Sequence, residues 1–272
     1  EIPKRDWSSD VCSSDLLDEK RLEDLDRLGI DVSAMSINSL WYSAPEDLAS
    51  RLVDVQNRKL AELADVNPDR FACYATVALQ FPELAAKQLD YAIKTLGLCG
   101  VAIAGSVEGE ELAARRFDPF WAKAEELGAL VFIHPQQDAK FLRTQRMNGN
   151  GALDNVVGNP LETTFALIHM ILEGTFDRFP NLKVCGAHGG GYLPAYPDRM
   201  DHAHKVFPDK CAEPRLKKKP SEYLKQIYVD TLVFSPEALR HLVAVCGASQ
   251  LMIGTDYPVP WVDECLDPVL QT

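Results

Sequence analysis

Seven short apolar runs recur along the chain, each followed or preceded by a stretch with helical spacing, and this rhythm restricts the fold more than any other feature. The runs are DVSAMSIN (31–38), RFACYATVAL (70–79), GVAIAG (100–105), LVFIHP (130–135), KVCGAHGG (183–190), IYVDTL (227–232) and LMIGTDYP (251–258). Runs that are continuously apolar, rather than alternating, mark parallel strands covered on both faces. Between them the spacing predicts helices. One starts at about Leu17, with Leu22, Leu25 and Leu28 on its inner side, and stops at Gly29. The next spans Pro45 to Leu63, with Leu48, Leu52, Val55 and Leu60 as the apolar face. Others are expected over 82–97, 118–128, 161–176, around 192–205, and over 236–247. Repeated βα units mean either an open doubly wound sheet or a (β/α)8 barrel, and 272 residues suit a barrel. Neither G-x-G-x-x-G nor a P-loop follows the first run, which weakens the dinucleotide-binding alternative. Seven strands are one short of a closed barrel.

Three runs end in residues that bind metals or move protons: His134 in LVFIHP, His188 in KVCGAHGGG and Asp256 in LMIGTDYP. The C-terminal ends of barrel strands open into one mouth, so these residues are expected to converge. Imidazole nitrogen and carboxylate oxygen are the donor set of catalytic zinc and similar divalent ions. An imidazole near such an ion also serves as acid or base close to neutrality. Taken singly, each residue reads equally as a satisfied histidine or a capping aspartate. Three in the same strand-end position do not. His169 and His241 lie inside helical runs, and His202 and His204 (DHAH) sit two apart on a helix and face different sides. These four read as packing or surface residues. Gly189–Gly190–Gly191 reads as a tight turn that places His188, since no Lys-Ser/Thr follows to make a phosphate cradle. The basic run RLKKKP (215–220) reads as a solvated loop.

Charge narrows the partner. Forty carboxylates against 28 Lys and Arg give a formal net charge of −12, which disfavours nucleic acid or an anionic membrane but leaves room for an anionic small substrate. No run of 18 uninterrupted apolar residues occurs, and no basic-then-apolar leader pattern opens the chain. Among the seven cysteines there is no C-x-x-C pair. Cys73, Cys99 and Cys185 lie in apolar runs as small buried hydrophobes, which suits a reducing cytoplasm.

The phrases HGGGYLPAYPDR, the strand-end HP and GTDYPVP together resemble the decarboxylase branch of the amidohydrolase superfamily. That branch includes 2-amino-3-carboxymuconate-6-semialdehyde decarboxylase and the hydroxybenzoate decarboxylases of γ-resorcylate type. The resemblance runs from about Leu17 to Pro260, with support from DRFACYATVALQFPELA, RFDPFWAKAEELG, GNPLETT and YVDTLVFSPEALRHLV. It implies a (β/α)8 TIM barrel of amidohydrolase type and a divalent metal, zinc first and manganese second. It further implies a metal-dependent non-oxidative decarboxylase acting on an aromatic or unsaturated carboxylic acid. In the branch the HP histidine and the TDYP aspartate are metal ligands, which fall on His134 and Asp256; the aspartate in some members also exchanges a proton. The HGGG histidine is the acid–base group and falls on His188. An arginine eleven residues further on binds the substrate carboxylate of the neighbouring subunit, which falls on Arg199 and implies a homodimer. The alternative for Arg199 is a surface pair with Asp198 or Asp201. The same metal and histidine would also serve a hydrolase or hydratase.

The departures matter as much. Members of the branch open with a strand ending in His-x-His or Glu-x-His that supplies two further ligands. Here no histidine precedes His134. In its place stands DWSSDVCSSDL (6–16), which resembles a translated sequencing adapter. Residues 1–16 are therefore expected to be an artefact, Cys12 included. The remainder, 17–272, is expected to be a truncated amidohydrolase-related barrel domain lacking the first strand and last helix. With only His134 and Asp256 left of four ligands, weak metal binding and little turnover are expected, making an inert fragment the competing reading. Metal analysis of the purified chain checks this, and near-stoichiometric zinc contradicts it.

Overall fold

The computed structural model describes residues 19–136, 147, 150–211, 213–259, 266 and 269. All seven apolar runs form strands. In chain order they are β1 (Ser33–Met35), β2 (Phe71–Ala75), β3 (Gly100–Ile103), then β4 (Ser106–Val107) and β5 (Glu110–Glu111), which pair as a separate antiparallel hairpin. β6 (Leu130–Ile133), β7 (Lys183–Gly186), β8 (Tyr228–Asp230) and β9 (Leu251–Met252) follow. The main sheet has the order β1-β2-β3-β6-β7-β8-β9, and each neighbouring pair is parallel. Its register brings Ile103, Ile133 and Gly186 to one level, with Val229 opposite Gly186 and Leu251 opposite Val229. The strands consequently end together. Nothing in the sequence pattern marked the β4–β5 hairpin, whose strands are two residues each.

The longer helices are α1 (Glu19–Leu28), α2 (Glu46–Val66), α3 (Pro82–Lys94), α4 (Asp118–Leu127), α5 (Asn159–Leu172), α6 (Pro197–Val206) and α7 (Pro236–Cys246). α4 shows the local logic. Pro119 sits in its first turn, and Gly128 closes it at φ 60°, with its N–H returning to the carbonyls of Ala124 and Glu125. Trp121 is fully buried on its inner face, and the indole N–H donates to the Leu112 carbonyl at 2.9 Å. Two expected helices are divided. The 161–176 run breaks at Gly174, which is left-handed at φ 70°, and the 192–205 run restarts at Pro197 after Tyr196 leaves helical geometry.

Helix α2 corrects the expected face. Leu48, Leu52 and Val55 are exposed, and only Leu60 of that set is buried. The inner side is Ala49, Val53, Asn57, Leu60 and Ala61, a set with equally good helical spacing. Asn57 explains the choice. Its side chain accepts from the Thr76 N–H at 2.8 Å and donates to the Thr76 carbonyl at 3.0 Å, pairing buried backbone groups just beyond β2 that would otherwise go unsatisfied. Cys99 is likewise exposed, not buried, whereas Cys73 and Cys185 are buried as expected.

The sheet curls into a parallel half-barrel. β1 pairs only with β2, and β9 only with β8, among the described residues. Both edges nevertheless approach α1. The guanidinium of Arg21 donates to Ser33 Oγ at 3.4 Å on the β1 side and lies 4.6 Å from the ring centroid of Tyr257, just past β9. The Tyr257 hydroxyl donates to Asp24 at 2.9 Å. Residues 1–16 lie outside the described residues, as does most of the stretch after Val259.

The face assignment of α2 is directly testable. Leu60→Ala should cost about 2–5 kcal/mol, as for other buried leucines. Leu52→Ala should stay within roughly 0.5 kcal/mol, as at ordinary surface positions. Urea unfolding monitored by circular dichroism separates the two.

Candidate metal centre and catalytic site

The concave face of the sheet is set by side-chain alternation. Along β6, Val131 and Ile133 are buried towards the helices, while Phe132 and His134 point the other way. A chain of ring contacts runs along this face: Tyr74 stacks on Phe132 at 5.9 Å, Phe132 meets His134 at 5.9 Å, and His134 meets His188 edge-on at 5.3 Å. His134 is held at the strand end by its N–H, which donates to the Ile103 carbonyl at 3.0 Å. Just beyond, the Gln136 N–H donates at 3.0 Å to the carboxylate of Glu162, a residue of α5 that is only 4% exposed.

His188 is placed by a turn and not by a strand. The expected strand over 183–190 stops at Gly186, because His188 adopts φ 56° and ψ 50° and Gly189, Gly190 and Gly191 all have positive φ. The glycines are required by contact as well as by conformation. A Cβ at Gly189 would lie 2.5 Å from Val233, and one at Gly191 would lie 2.0 Å from the Pro160 carbonyl oxygen. A non-glycine residue in this region carries a cost of about 1–2 kcal/mol. Asp230, at the end of β8, meets it. One carboxylate oxygen accepts from His188 N at 2.9 Å, and the other from Gly189 N at 2.8 Å and Leu232 N at 3.1 Å. Hydrogen bonds to a charged acceptor contribute about 1.5–3 kcal/mol each.

Asp256 follows the same pattern. The run over 251–258 is strand only as far as Met252, and Asp256 sits at φ 54°, a region that aspartate tolerates better than most residues. Its two oxygens face two rings: Oδ1 is 3.7 Å from His134 Nε2, and Oδ2 is 3.8 Å from His188 Nε2. The three strand-end residues picked out by sequence thus meet at one point. They form the one group of histidine, cysteine or acidic donors suited to a metal among the described residues, with a donor atom from each lying within 4.8 Å of the others.

Electrostatics follow from this geometry. Burial opposes ionisation of Asp256, but the two imidazoles facing it outweigh burial and hold its carboxyl well below the usual range. Burial likewise opposes protonation of His188, yet the adjacent Asp256 and the charge of Asp230 raise its pKa above the ordinary histidine value. The ring Nδ1 atoms of both His134 and His188 are buried with no hydrogen-bond partner among the described residues. The His134 imidazole and the Asp256 carboxylate, closer than 4 Å yet beyond normal hydrogen-bond length, suit a divalent cation between them, with the His188 ring beside it. The donors present fit a metal.

The other candidates lie elsewhere. Arg199 is exposed on α6, and neither Asp198 nor Asp201 pairs with its side chain among the described residues; Asp201 instead accepts from the N–H and hydroxyl of Ser221. His202 and His204 line an open surface cleft with Lys205 and Arg215. His241 Nε2 contacts the Pro194 carbonyl at 2.9 Å, and His169 is flanked by Glu173 and Glu111. Within RLKKKP, Lys217 is tied to Asp177 through both its backbone N–H and its Nζ. Sequence reasoning passed over Asp230 and Glu162. The first had a visible signal, an aspartate ending the apolar run IYVDTL, and the second had none beyond its place in GNPLETT.

Comparison with known proteins bears on family and fold. Residues 41–267 match the family model described as amidohydrolase. The chain is 35% identical over 263 residues to 2-amino-3-carboxymuconate-6-semialdehyde decarboxylase of Dictyostelium discoideum, covering 96% of this chain and 69% of that protein. It is 27% identical over 282 residues to γ-resorcylate decarboxylase of Polaromonas sp. strain JS666, covering 98% and 84% respectively. It superposes on a crystal structure of 5-carboxyvanillate decarboxylase from Novosphingobium aromaticivorans with a TM-score of 0.84, at 29% identity over 92% of this chain and 74% of that one. That structure holds manganese and 3-methoxy-4-hydroxy-5-nitrobenzoic acid.

Asp256 also makes a pH prediction. Its folded-state pKa is depressed, so the stability it contributes is present above the unfolded carboxyl pKa of about 3.9 and is lost as pH falls below that value. In metal-free protein, the stability advantage of wild type over Asp256→Asn should be greatest between the two pKa values, shrinking below about pH 4 as the carboxylate protonates and again above the raised pKa of His188 as the imidazolium facing Asp256 is lost. Denaturant melts across pH give the curve.

Proposed function

The chain belongs to the amidohydrolase family, in the branch of the muconate-semialdehyde and γ-resorcylate decarboxylases, and from that membership we propose that it is a metal-dependent carboxy-lyase. Its substrate would be a small aromatic or unsaturated carboxylic acid. The observation that carries this reading is the convergence of His134, His188 and Asp256 at the ends of β6, β7 and β9. His134 and Asp256 would hold the metal, with manganese supported by the relative's structure and zinc by the His/Asp donor set. When bound, the metal supplies positive charge that fixes substrate oxygens and steadies negative charge.

The chain's own residues supply proton handling and orientation. His188, inclined by Asp230 and Asp256 to hold its proton, would deliver that proton from Nε2 to the substrate carbon. The bond between that carbon and the carboxyl group breaks, its electron pair stays on the carbon, and carbon dioxide leaves. The proton then completes the new C–H bond, and solvent reprotonates His188. Tyr74 and Phe132, stacked beside His134, offer a flat apolar wall that suits a conjugated ring and keeps water from the developing carbanion. Arg199 would act on a partner protomer's substrate carboxylate, for which its bidentate guanidinium is suited. Arg199 is exposed and pairs with no carboxylate among the described residues, and with the exposed Tyr192, Tyr196, Val206 and Phe207 around α6 this supports such an interface.

Carbon dioxide release from hydroxybenzoates and carboxymuconate-type acids tests the reading directly, with water uptake without carbon dioxide pointing to a hydrolase or hydratase. His188→Gln should lower kcat by at least about 100-fold, the lower range for a proton-transfer group, with bound metal retained. Arg199→Ala should raise KM and leave kcat within a few fold. A monomer in light scattering would count against Arg199 acting in trans.

A further inference from the structure

We propose that Asp230 is a positioning residue for His188: its carboxylate holds the histidine in the left-handed turn that aims the ring at Asp256. The inference rests on the reading of His188 as the proton-handling group, but its structural part stands independently of turnover. Asp230 is only 7% exposed, and its carboxylate is not among the donors that converge at the metal site. Its carboxylate instead accepts from three backbone N–H groups, two of them belonging to His188 and Gly189. That is an unusual use of a buried charge. Buried carboxylates ordinarily pair with a cation, and no ion pair to Asp230 occurs among the described residues.

Location adds to the case. β8 lies between β7, which carries His188, and β9, which leads to Asp256. The Cβ and Cγ of Asp230 stand where a side chain at Gly254 would be, at 2.8 and 3.0 Å, and the Gly254 N–H donates to Thr231 Oγ1 at 3.3 Å. The end of β8 therefore touches both loops: Asp230 fixes the backbone under His188, and Thr231 fixes the approach to Asp256. Asparagine at 230 keeps the shape but presents an amide in place of one oxygen, so that an N–H of the turn faces a donor. With His188 no longer held at positive φ, relaxation to an ordinary backbone conformation swings the ring away from Asp256.

The test uses the full chain labelled with nitrogen-15 at histidine, with His188 ring signals identified by their loss in His188→Gln. In Asp230→Asn the His188 signals should shift or broaden. Leu52→Ala, on the exposed face of α2, should leave them where they are. In steady-state assays Asp230→Asn should lose at least tenfold in kcat, with KM within about twofold and bound metal per chain unchanged. Asp230→Ala, which removes both acceptor oxygens without setting a donor against the turn, should move the His188 signals and lower kcat in the same direction, and supplies the same readouts if the asparagine variant does not fold. Unchanged His188 signals in Asp230→Asn or Asp230→Ala would overturn the proposal, as would a loss of kcat that tracks loss of metal. If the wild-type chain turns over no carboxylic acid, the carboxy-lyase reading fails, and the ring signals still decide the placement of His188.

Discussion

A single carboxylate, that of Asp256, stands within 4 Å of imidazoles that lie 122 and 68 residues earlier in the chain. Such a meeting depends on two constraints acting at once. The strands have to be parallel and in register, so that His134 and His188 emerge side by side at one end of the sheet. The sheet also has to curl, because β9 is two strands removed from β7 and an open, flat sheet would carry Asp256 away from both rings. Apolar burial behind Val131, Ile133 and Val184 maintains the first condition. Helix α1, touching both sheet edges through Arg21 and Asp24, contributes to the second.

Much of this was legible in the sequence, for physical reasons. Parallel strands buried on both sides have to be continuously apolar, so the seven strands of the main sheet could be counted, while the choice of a barrel over a doubly wound sheet rested on the family resemblance. Once a barrel was expected, strand-end residues could be placed in one mouth. What escaped was local. The true inner face of α2 and the tempting one have the same period, and the contest was decided by Asn57 pairing with Thr76, a polar interaction that a hydrophobic pattern does not contain. The ends of β7 and β9 were overestimated because HGGG and GTDYP look strand-like in composition, while their left-handed residues are visible only in backbone angles.

The polar groups that set the site share one role. Glu162 caps the N–H of Gln136, Asp230 the N–H groups of His188 and Gly189, and Asn57 the N–H of Thr76. Each satisfies backbone at the point where a strand gives way to a loop. Buried side chains supply there the hydrogen bonds that the sheet ladder no longer provides. This face of the sheet is therefore built on main-chain capping as much as on the strand-end residues that meet on it.

The seam between β1 and β9 has a mechanical consequence. His134 and His188 are tied to each other through adjacent, ladder-bonded strands, so their separation is stiff. Among the described residues, Asp256 is tied to them from one side by β8 and from the other by side chains meeting across α1. The half-barrel thus behaves as a clip with one rigid jaw and one sprung jaw. Any change in its curvature alters the reach of the carboxylate before it alters the spacing of the two rings.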